Sequence, residues 1–272
     1  MKKWRLLDTG KNHPAYNMAV DEAIMKAHRE KLVKPTFRFY QWLPPGLSLG
    51  LSQKIKKTVD FDKCRENGVE VVRRLTGGRA IYHQKDELTY SLVINEESGF
   101  LSDSILTSYK KISMGMVRGL KSLGLAVDLH SVTKNGDKKK SAACFDSPSR
   151  YEIVAEGKKL IGSAQTRRKG IIMQHGSFPF SIKIDILYQI LKVSGSKLRE
   201  RLKRNYLNKA TALSKITDRN LKISEVKSAL IEGWERKFNI EIEKGNLIPE
   251  EKEWARDLME NKYGTEEWNH KL

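Results

Sequence analysis

Short β-like runs separated by glycines fill residues 1 to about 180, whereas the residues from about 181 onward carry an almost entirely helical pattern. Alternation of apolar and polar residues indicates strands, and an apolar spacing of three to four indicates amphipathic helices. The predicted strands are 36–42, Val69–Leu75, Leu88–Ile94, Tyr151–Ala155, Leu160–Ala164 and Ile171–Gln174. The runs 151–155 and 159–164, joined through Glu156-Gly157-Lys158, predict a β-hairpin. The predicted helices are 14–30, 104–123, 196–206, 224–238 and one from Pro249 to about Asn261. We therefore predict an α+β lobe over residues 1–180 and a smaller helical segment over 181–272 packed on it.

The charge balance narrows the kind of partner. The 272 residues include 51 Lys and Arg against 33 Asp and Glu, a net charge of +18. This charge favours an acidic partner, and by itself leaves nucleic acid, an anionic membrane surface and an acidic protein open. No apolar run approaches the ~20 residues of a membrane span, and Met1–Gly10 lacks the apolar centre of a secretory signal. Two cysteines cannot build a disulfide framework, so we expect a cytoplasmic protein without membrane attachment.

The common catalytic motifs are absent from the sequence. It contains no G-x-S-x-G elbow, no H-E-x-x-H, no C-x-x-C, no phosphate-binding G-x-x-x-x-G-K-[ST] loop and no G-x-G-x-x-G. Hydrolase, zinc-protease and nucleotide-loop interpretations therefore lose their usual support.

The first stretch that can carry chemistry runs from Arg73 to His83, at the end of a predicted strand. Gly77 and Gly78 allow a sharp turn and a close approach of the backbone to a ligand. The paired arginines before them could hold a carboxylate or a phosphate. The pattern alone equally permits a glycine turn with solvated arginines.

The second stretch surrounds Cys144, which lies among small residues and follows three lysines, Lys138 to Lys140. Nearby cations lower the pKa of a thiol, and the thiolate is the nucleophile. The alternative is a buried, inert cysteine, which is the commoner fate of a lone cysteine. Cys64, on an apparent helix, fits that alternative.

The third stretch begins at Lys159, which opens a strand of apolar and small residues. Strand alternation predicts that Lys159, Ile161 and Ser163 share one face. A lysine that faces a packed interior needs a partner or a function. The alternative is a lysine at a strand end that extends to water. His83 and His175, judged singly, are more often structural than catalytic.

Taken together, these stretches resemble the superfamily of lipoate-protein ligases, octanoyltransferases and biotin-protein ligases. The resemblance covers nearly the whole chain and rests on Asn17 to Glu22, Arg73 to His83, Lys159 to Ala164, Gln174 to Ser177, Lys262 to Gly264 and Trp268-Asn269. It implies a mixed or antiparallel sheet flanked by helices, with a C-terminal helical segment, and requires no metal or cofactor. It also implies that substrate is bound by Arg74, Thr76, Gly77, Gly78, Arg79, His83, Gly162, Ser163, Ala164 and His175.

Two departures select a branch of this superfamily. Arg79 stands where lipoate ligases usually have a third glycine, and Cys144 stands in an Ala-Cys-Phe-x-x-Pro-Ser context. This pattern is similar to the protein octanoyltransferases of the Bacillus-type lipoate pathway. The resemblance implies that Cys144 carries the octanoyl group as a thioester and that Lys159 assists. It further implies an octanoyl-acyl carrier protein as donor, a lipoyl-accepting protein such as glycine cleavage H protein as acceptor, and a monomer that binds no specific nucleic acid.

Three alternatives remain open from the sequence. An ATP-dependent lipoate-protein ligase would use the glycine pair and Lys159 around an acyl-adenylate, although Cys144 and Arg79 argue against it. An amidotransferase that moves octanoyl between lipoyl proteins would also use a cysteine thioester. A basic nucleic-acid-binding module would need aromatic residues interleaved on a basic stripe or a known binding motif, and the sequence shows neither.

Overall fold

The computed structural model describes residues 1–101, 104–130 and 152–272. The strands are β1 (Lys2–Asn12), β2 (Thr36–Trp42), β3 (Gly46–Leu49), β4 (Glu70–Arg73), β5 (Ile81–His83), β6 (Leu88–Asn95), β7 (Val127–Leu129), β8 (Ile153–Ala155), β9 (Lys158–Arg168), β10 (Ile171–Phe178) and β11 (Ile240–Lys244). The helices are α1 (Pro14–Arg29), α2 (Ile55–Thr58), α3 (Phe61–Glu66), α4 (Ile105–Ser122), α5 (Ile184–Ile190), α6 (Ser196–Lys209), α7 (Leu213–Ile216), α8 (Ile223–Phe238), α9 (Pro249–Leu258) and α10 (Glu266–His270).

The strands form one large sheet and one small sheet. The large sheet has the order β11-β1-β2-β6-β10-β9-β8-β7, and the small sheet has the order β4-β3-β5. In the large sheet β1 runs parallel to both β11 and β2, whereas the pairs from β2 to β7 are antiparallel. The predicted mixed sheet flanked by helices is therefore confirmed, as is the β8–β9 hairpin.

Each face of the large sheet is covered by a pair of helices. On one face α4 and α8 pack closely, and Trp234 of α8 stacks on Phe37 of β2 at a ring-centroid distance of 3.9 Å. On the other face α1 packs against α9, and the buried alanines of α1 let the helix approach the sheet. Burial of these apolar faces is the main force that holds the layers together. No helix within the described ranges is long and apolar enough to cross a bilayer.

The C-terminal segment is mainly helical, as predicted, and contains one strand that the sequence pattern did not predict. Residues Ile240–Lys244 form β11 and pair in parallel with β1, with Lys2 opposite Ile240. Five residues that alternate between isoleucine and charged residues are too short a run to stand out between two strong helical patterns. The partner strand β1 was itself not predicted, because its exposed lysines and half-buried threonine mask the apolar pattern. The C-terminal segment thus completes the edge of the central sheet.

Helix α10 fixes the strand that leads into the glycine pair. The Asn269 side-chain oxygen accepts a 2.7 Å hydrogen bond from the Arg73 backbone N–H, and the Trp268 indole N–H donates to the Arg73 carbonyl over 2.9 Å. The Arg73 guanidinium in turn donates to the Asn269 carbonyl over 2.8 Å. These contacts attach the end of the described chain to β4, directly before the loop that the sequence marks as functional.

Candidate active site

A narrow central cavity lies between the large sheet, the small sheet and α1, with about 290 Å³ of space between its lining atoms when its open mouth is counted. The surface that it exposes is almost entirely carbon. It is lined by Met18, Tyr40, Trp42, Ser48, Arg74, Ile81, His83, Thr89, Gly162, Ala164, His175, Gly176 and Ser177. Five of the predicted substrate-binding residues therefore meet at one place, namely Arg74, His83, Gly162, Ala164 and His175.

Small residues on two neighbouring strands create the space of the central cavity. Gly162 and Ala164 of β9 lie beside Gly176 and Ser177 of β10, and Gly162 is paired with Ser177. Larger side chains at these positions would fill the cavity. Gly176 is also required on the packing side, because a Cβ there would lie 2.7 Å from the ring atom Cε1 of Tyr90. The sheet surface is thus left bare where an apolar chain could lie.

Arg74 organises the glycine loop. Its guanidinium donates to the carbonyl oxygens of Gly77 (2.8 Å) and Arg79 (2.9 Å), and its Nε donates to the Thr76 hydroxyl (3.0 Å). The solvated-arginine interpretation is wrong, since both Arg73 and Arg74 are buried. Gly78 has a φ of +94°, and a Cβ there would lie 2.9 Å from a guanidinium nitrogen of Arg74. The loop is therefore held in one shape before any ligand binds.

A buried polar network joins the loop to the core. The Thr76 hydroxyl and His175 Nε2 are 2.7 Å apart, and His175 Nδ1 lies 3.7 Å from the Asp21 carboxylate. Arg38 donates to the same carboxylate over 2.6 Å and Ser91 donates over 2.8 Å. Burial by itself would raise the pKa of the Asp21 carboxyl. Arg38, His175 and Ser91 stabilise its charged form more strongly, so the pKa of Asp21 is lowered. Burial lowers the pKa of His175 despite the nearby carboxylate.

A second hydrogen-bonded chain reaches the cavity wall through His83. The Ser48 hydroxyl lies 2.7 Å from His83 Nε2, and His83 Nδ1 lies 2.6 Å from the Glu87 carboxylate. The two contacts are satisfied together by the tautomer in which Nδ1–H donates to the Glu87 carboxylate and Nε2 accepts from Ser48. The Trp42 ring stacks on His83 at 3.9 Å. These contacts fix His83 in one orientation. Of the three hydrogen-bonded residues, only His83 was predicted as a site residue.

Lys159 is buried and ion-paired, so the interpretation of a lysine that extends to water is wrong. Its ammonium contacts the Glu152 carboxylate, and the two side chains are 3% and 2% exposed. The Lys159 carbonyl accepts a 2.9 Å hydrogen bond from the Thr211 N–H. The ion pair with Glu152 supplies the charged partner that a lysine in the interior requires.

A β-bulge at Leu160 corrects the predicted orientation of Lys159. Ile153 of β8 is paired with Ile161, but the next residue, Val154, is paired with Lys159, so Leu160 is the extra residue. Paired residues on antiparallel strands point to the same side, and consecutive residues point to opposite sides. Lys159 therefore lies on the sheet face opposite to that of Ile161. This opposite face carries Gly162 and borders the central cavity. Bulges of this kind often redirect a side chain beside an active site.

The remaining predicted residues lie in different surroundings. The Ser163 hydroxyl accepts a 2.9 Å hydrogen bond from the Tyr90 hydroxyl, on the packed side of β9. Gly77 and Gly78 are exposed and Arg79 is half-buried, at the rim of the loop. Cys144 lies outside the described residues. Cys64 is buried, and burial raises the pKa of its thiol to about 12, which fits the predicted inert role.

We expect acid to destabilise the protein as the pH falls below 6.5. Burial lowers the folded-state pKa values of His175 and His28 below their ordinary 6.5, so the unfolded chain binds protons more readily as the pH falls below 6.5. Each histidine then removes up to about 1.4 kcal/mol of stability per pH unit until its folded-state pKa is reached. Urea unfolding at pH 7.5 and pH 5.5 measures the loss. A His175→Gln variant is expected to lose less stability over this interval, and an equal loss would exclude His175 as a source.

Comparison with known proteins assigns the chain to a family. Residues 13–235 match the lipoyl protein ligase A/B catalytic domain. Octanoyltransferase LipM of Anoxybacillus flavithermus is 42% identical over 98% of both chains, and that of Bacillus subtilis is 40% identical over 98% of both. A bipartite lipoate protein ligase of Thermoplasma acidophilum superposes with a TM-score of 0.82 at 26% identity, over 99% of this chain and 96% of that one. A lipoate-protein ligase A bound with ATP superposes with a TM-score of 0.79 at 28% identity, over 99% of both. The chain therefore belongs to the lipoyl protein ligase A/B catalytic-domain family, among the octanoyltransferases named LipM.

Proposed function

We propose that this enzyme transfers an octanoyl group from octanoyl-acyl carrier protein to a lysine of a lipoyl-accepting protein such as glycine cleavage H protein. The transfer would be the first step of lipoate biosynthesis and would pass through a thioester on Cys144. The observation that carries the proposal is the narrow carbon-lined central cavity between the large sheet, the small sheet and α1, in a chain 40–44% identical to octanoyltransferases. An unbranched acyl chain fits such a wall of small residues, since burial of its methylenes is favourable.

The first half-reaction transfers the acyl group to the enzyme. The Cys144 thiolate attacks the thioester carbonyl of the donor, and a new C–S bond forms. The intermediate then expels the pantetheine thiolate of the carrier, which takes up a proton. Lys159, on the cavity face of β9, would stabilise the thiolate or donate to the carbonyl oxygen as negative charge develops there. Backbone N–H groups around Gly77 and Gly78, in the loop whose shape Arg74 holds, or beside Cys144 would donate to the same oxygen.

The second half-reaction forms the product amide. The neutral ε-amine of the acceptor lysine attacks the acyl-enzyme carbonyl, the C–N bond forms, and the C–S bond to Cys144 breaks. The amine loses a proton and the departing Cys144 thiolate gains one, so no net proton is consumed. A thioester is reactive enough toward an amine that the transfer requires no ATP.

The second candidate function is ATP-dependent lipoate ligation. It is favoured by one observation, the superposition of this chain on an ATP-bound lipoate-protein ligase A with a TM-score of 0.79. A ligase would activate free lipoate as an adenylate and would need no cysteine nucleophile. The two functions therefore differ in their requirement for ATP and in the presence of an acyl-enzyme.

Intact-protein mass spectrometry separates these functions. We expect incubation with octanoyl-acyl carrier protein, without ATP, to add one octanoyl group to the enzyme, and hydroxylamine to remove it because thioesters are labile to this nucleophile. Addition that occurs only with free acid and ATP would support the ligase instead. Octanoyl-loaded lipoyl protein as the sole effective donor would identify an amidotransferase. An octanoyl group mapped to another residue would reassign the nucleophile.

A further inference from the structure

Helix α6 presents a stripe of positive charge to solvent. Lys197, Arg201 and Arg204 follow the i, i+4, i+7 spacing that places them on one side of the helix, and all three are exposed. None of the three forms an ion pair in the part of the chain that the structure describes. The opposite side of α6 attaches the helix to the protein, since Tyr206 is buried and packs edge-on against Tyr188 at 6.3 Å. We call these three residues the α6 stripe.

The end of α6 is joined to the strand that carries Lys159. Ala210, directly after the helix, forms a parallel bridge with Lys159, and the Thr211 N–H donates to the Lys159 carbonyl over 2.9 Å. Both Ala210 and Thr211 are buried. A protein bound on α6 would therefore lie beside the strand that positions the proposed catalytic ammonium.

A second hollow lies between the neighbourhood of α6 and the central cavity. This side hollow, with about 430 Å³ of space between its lining atoms when its open mouth is counted, has Tyr206 of α6 in its wall together with Lys183 and Ser181. It shares Ile81 and Ser177 with the central cavity. The two spaces thus adjoin at common walls, so a thin flexible arm that enters near α6 is brought next to the central cavity.

We propose that the α6 stripe docks an acidic carrier protein that presents a thioester on a flexible arm, and that the arm enters through the side hollow. This inference rests on the proposed function, in which the acyl donor is such a carrier. A row of exposed cations on one side of a helix attracts an acidic partner from a distance and orients it on encounter. A small thioester donor is not attached to an acidic protein, so the α6 stripe gives it no electrostatic attraction.

The test is charge reversal in the full-length enzyme. We expect Lys197→Glu/Arg201→Glu/Arg204→Glu to lower kcat/KM for octanoyl-acyl carrier protein at least about 10-fold at low ionic strength, mainly through KM. Salt should lower the activity of the unmodified enzyme with this donor and have little effect on the variant. With octanoyl-pantetheine as donor, both enzymes should be equally active.

A matched control reverses three other exposed lysines, Lys121, Lys237 and Lys252, on α4, α8 and α9. It changes the net charge by the same amount and should lose much less activity with the carrier donor. Equal losses in both variants would show a general effect of net charge and would overturn the docking surface. Loss with octanoyl-pantetheine, or no loss with the carrier, would overturn it as well.

Two further measurements distinguish docking of the donor from docking of the acceptor, and the docking proposal from the proposed function. Transfer from pre-formed acyl-enzyme to the acceptor protein should be unchanged in the α6 variant, and a loss confined to that step would assign the stripe to the acceptor instead and overturn the donor assignment. Failure of the unmodified enzyme to use octanoyl-acyl carrier protein at all would refute the proposed function itself.

Discussion

Replacement of Cys144 by serine is expected to abolish octanoyl transfer from the carrier protein, with a loss of at least about 10³-fold in kcat. A serine hydroxyl stays protonated at neutral pH and lacks the thiolate that attacks the thioester. Because the change is nearly isosteric, the unfolding transition should stay close to that of the unmodified enzyme. Single-turnover transfer from octanoyl-acyl carrier protein, measured beside thermal unfolding, checks both statements.

Cys64 supplies the matched control for this variant. Its thiol is buried and its pKa is raised to about 12, so Cys64→Ser should retain transfer if the fold tolerates the hydroxyl. The acyl adduct seen by mass spectrometry should persist in Cys64→Ser and disappear in Cys144→Ser. Full activity of Cys144→Ser would remove the covalent step from the mechanism.

Replacement of Lys159 by alanine is expected to slow acylation of the enzyme by about 10²- to 10⁴-fold. The variant loses the cation that the mechanism places beside the reacting thioester. It should also lose stability, by about 3–5 kcal/mol, because the buried Glu152 carboxylate is deprived of the ammonium that it contacts. Rapid-quench acylation and urea unfolding measure the two effects separately.

A double variant separates catalysis from stability at this position. Lys159→Met/Glu152→Gln removes both charges and keeps similar volumes, so much of the lost stability should return. Acylation should nevertheless stay slow, because the ammonium that the mechanism uses is missing. Recovery of the acylation rate in the double variant would show that Lys159 acts only on the fold.

Local sequence patterns were sufficient for much of the fold. Helix α1 was predicted at 14–30 and is observed at Pro14–Arg29, because its apolar residues recur at helical spacing. The β8–β9 hairpin was predicted from two strand-like runs around Gly157, and it is present. In both cases the information lies within about 20 neighbouring residues, where periodicity and turn residues are decisive.

Contacts between residues that lie far apart in the sequence could not be predicted from local patterns. Nothing near Arg74 in the sequence shows that its guanidinium is enclosed by the carbonyls of its own loop and of Ser48. The bulge at Leu160 depends on how β8 pairs with β9, so simple alternation assigned Lys159 to the wrong face. The motif positions around the cavity came from family resemblance, whereas their partners Ser48, Glu87 and Arg38 emerged only from the packed structure. The role of Cys144 stays a prediction.

The pairing of β11 with β1 has a consequence for biosynthesis. Lys2 can meet Ile240 only after the ribosome has added more than two hundred intervening residues. At translation rates of 5–20 residues per second, the N-terminal strand waits roughly 12 s or longer with one hydrogen-bonding edge open. The nascent chain therefore exposes an open strand edge, on which another chain can pair, for most of its synthesis. Chaperone contact during this interval would protect it from aggregation.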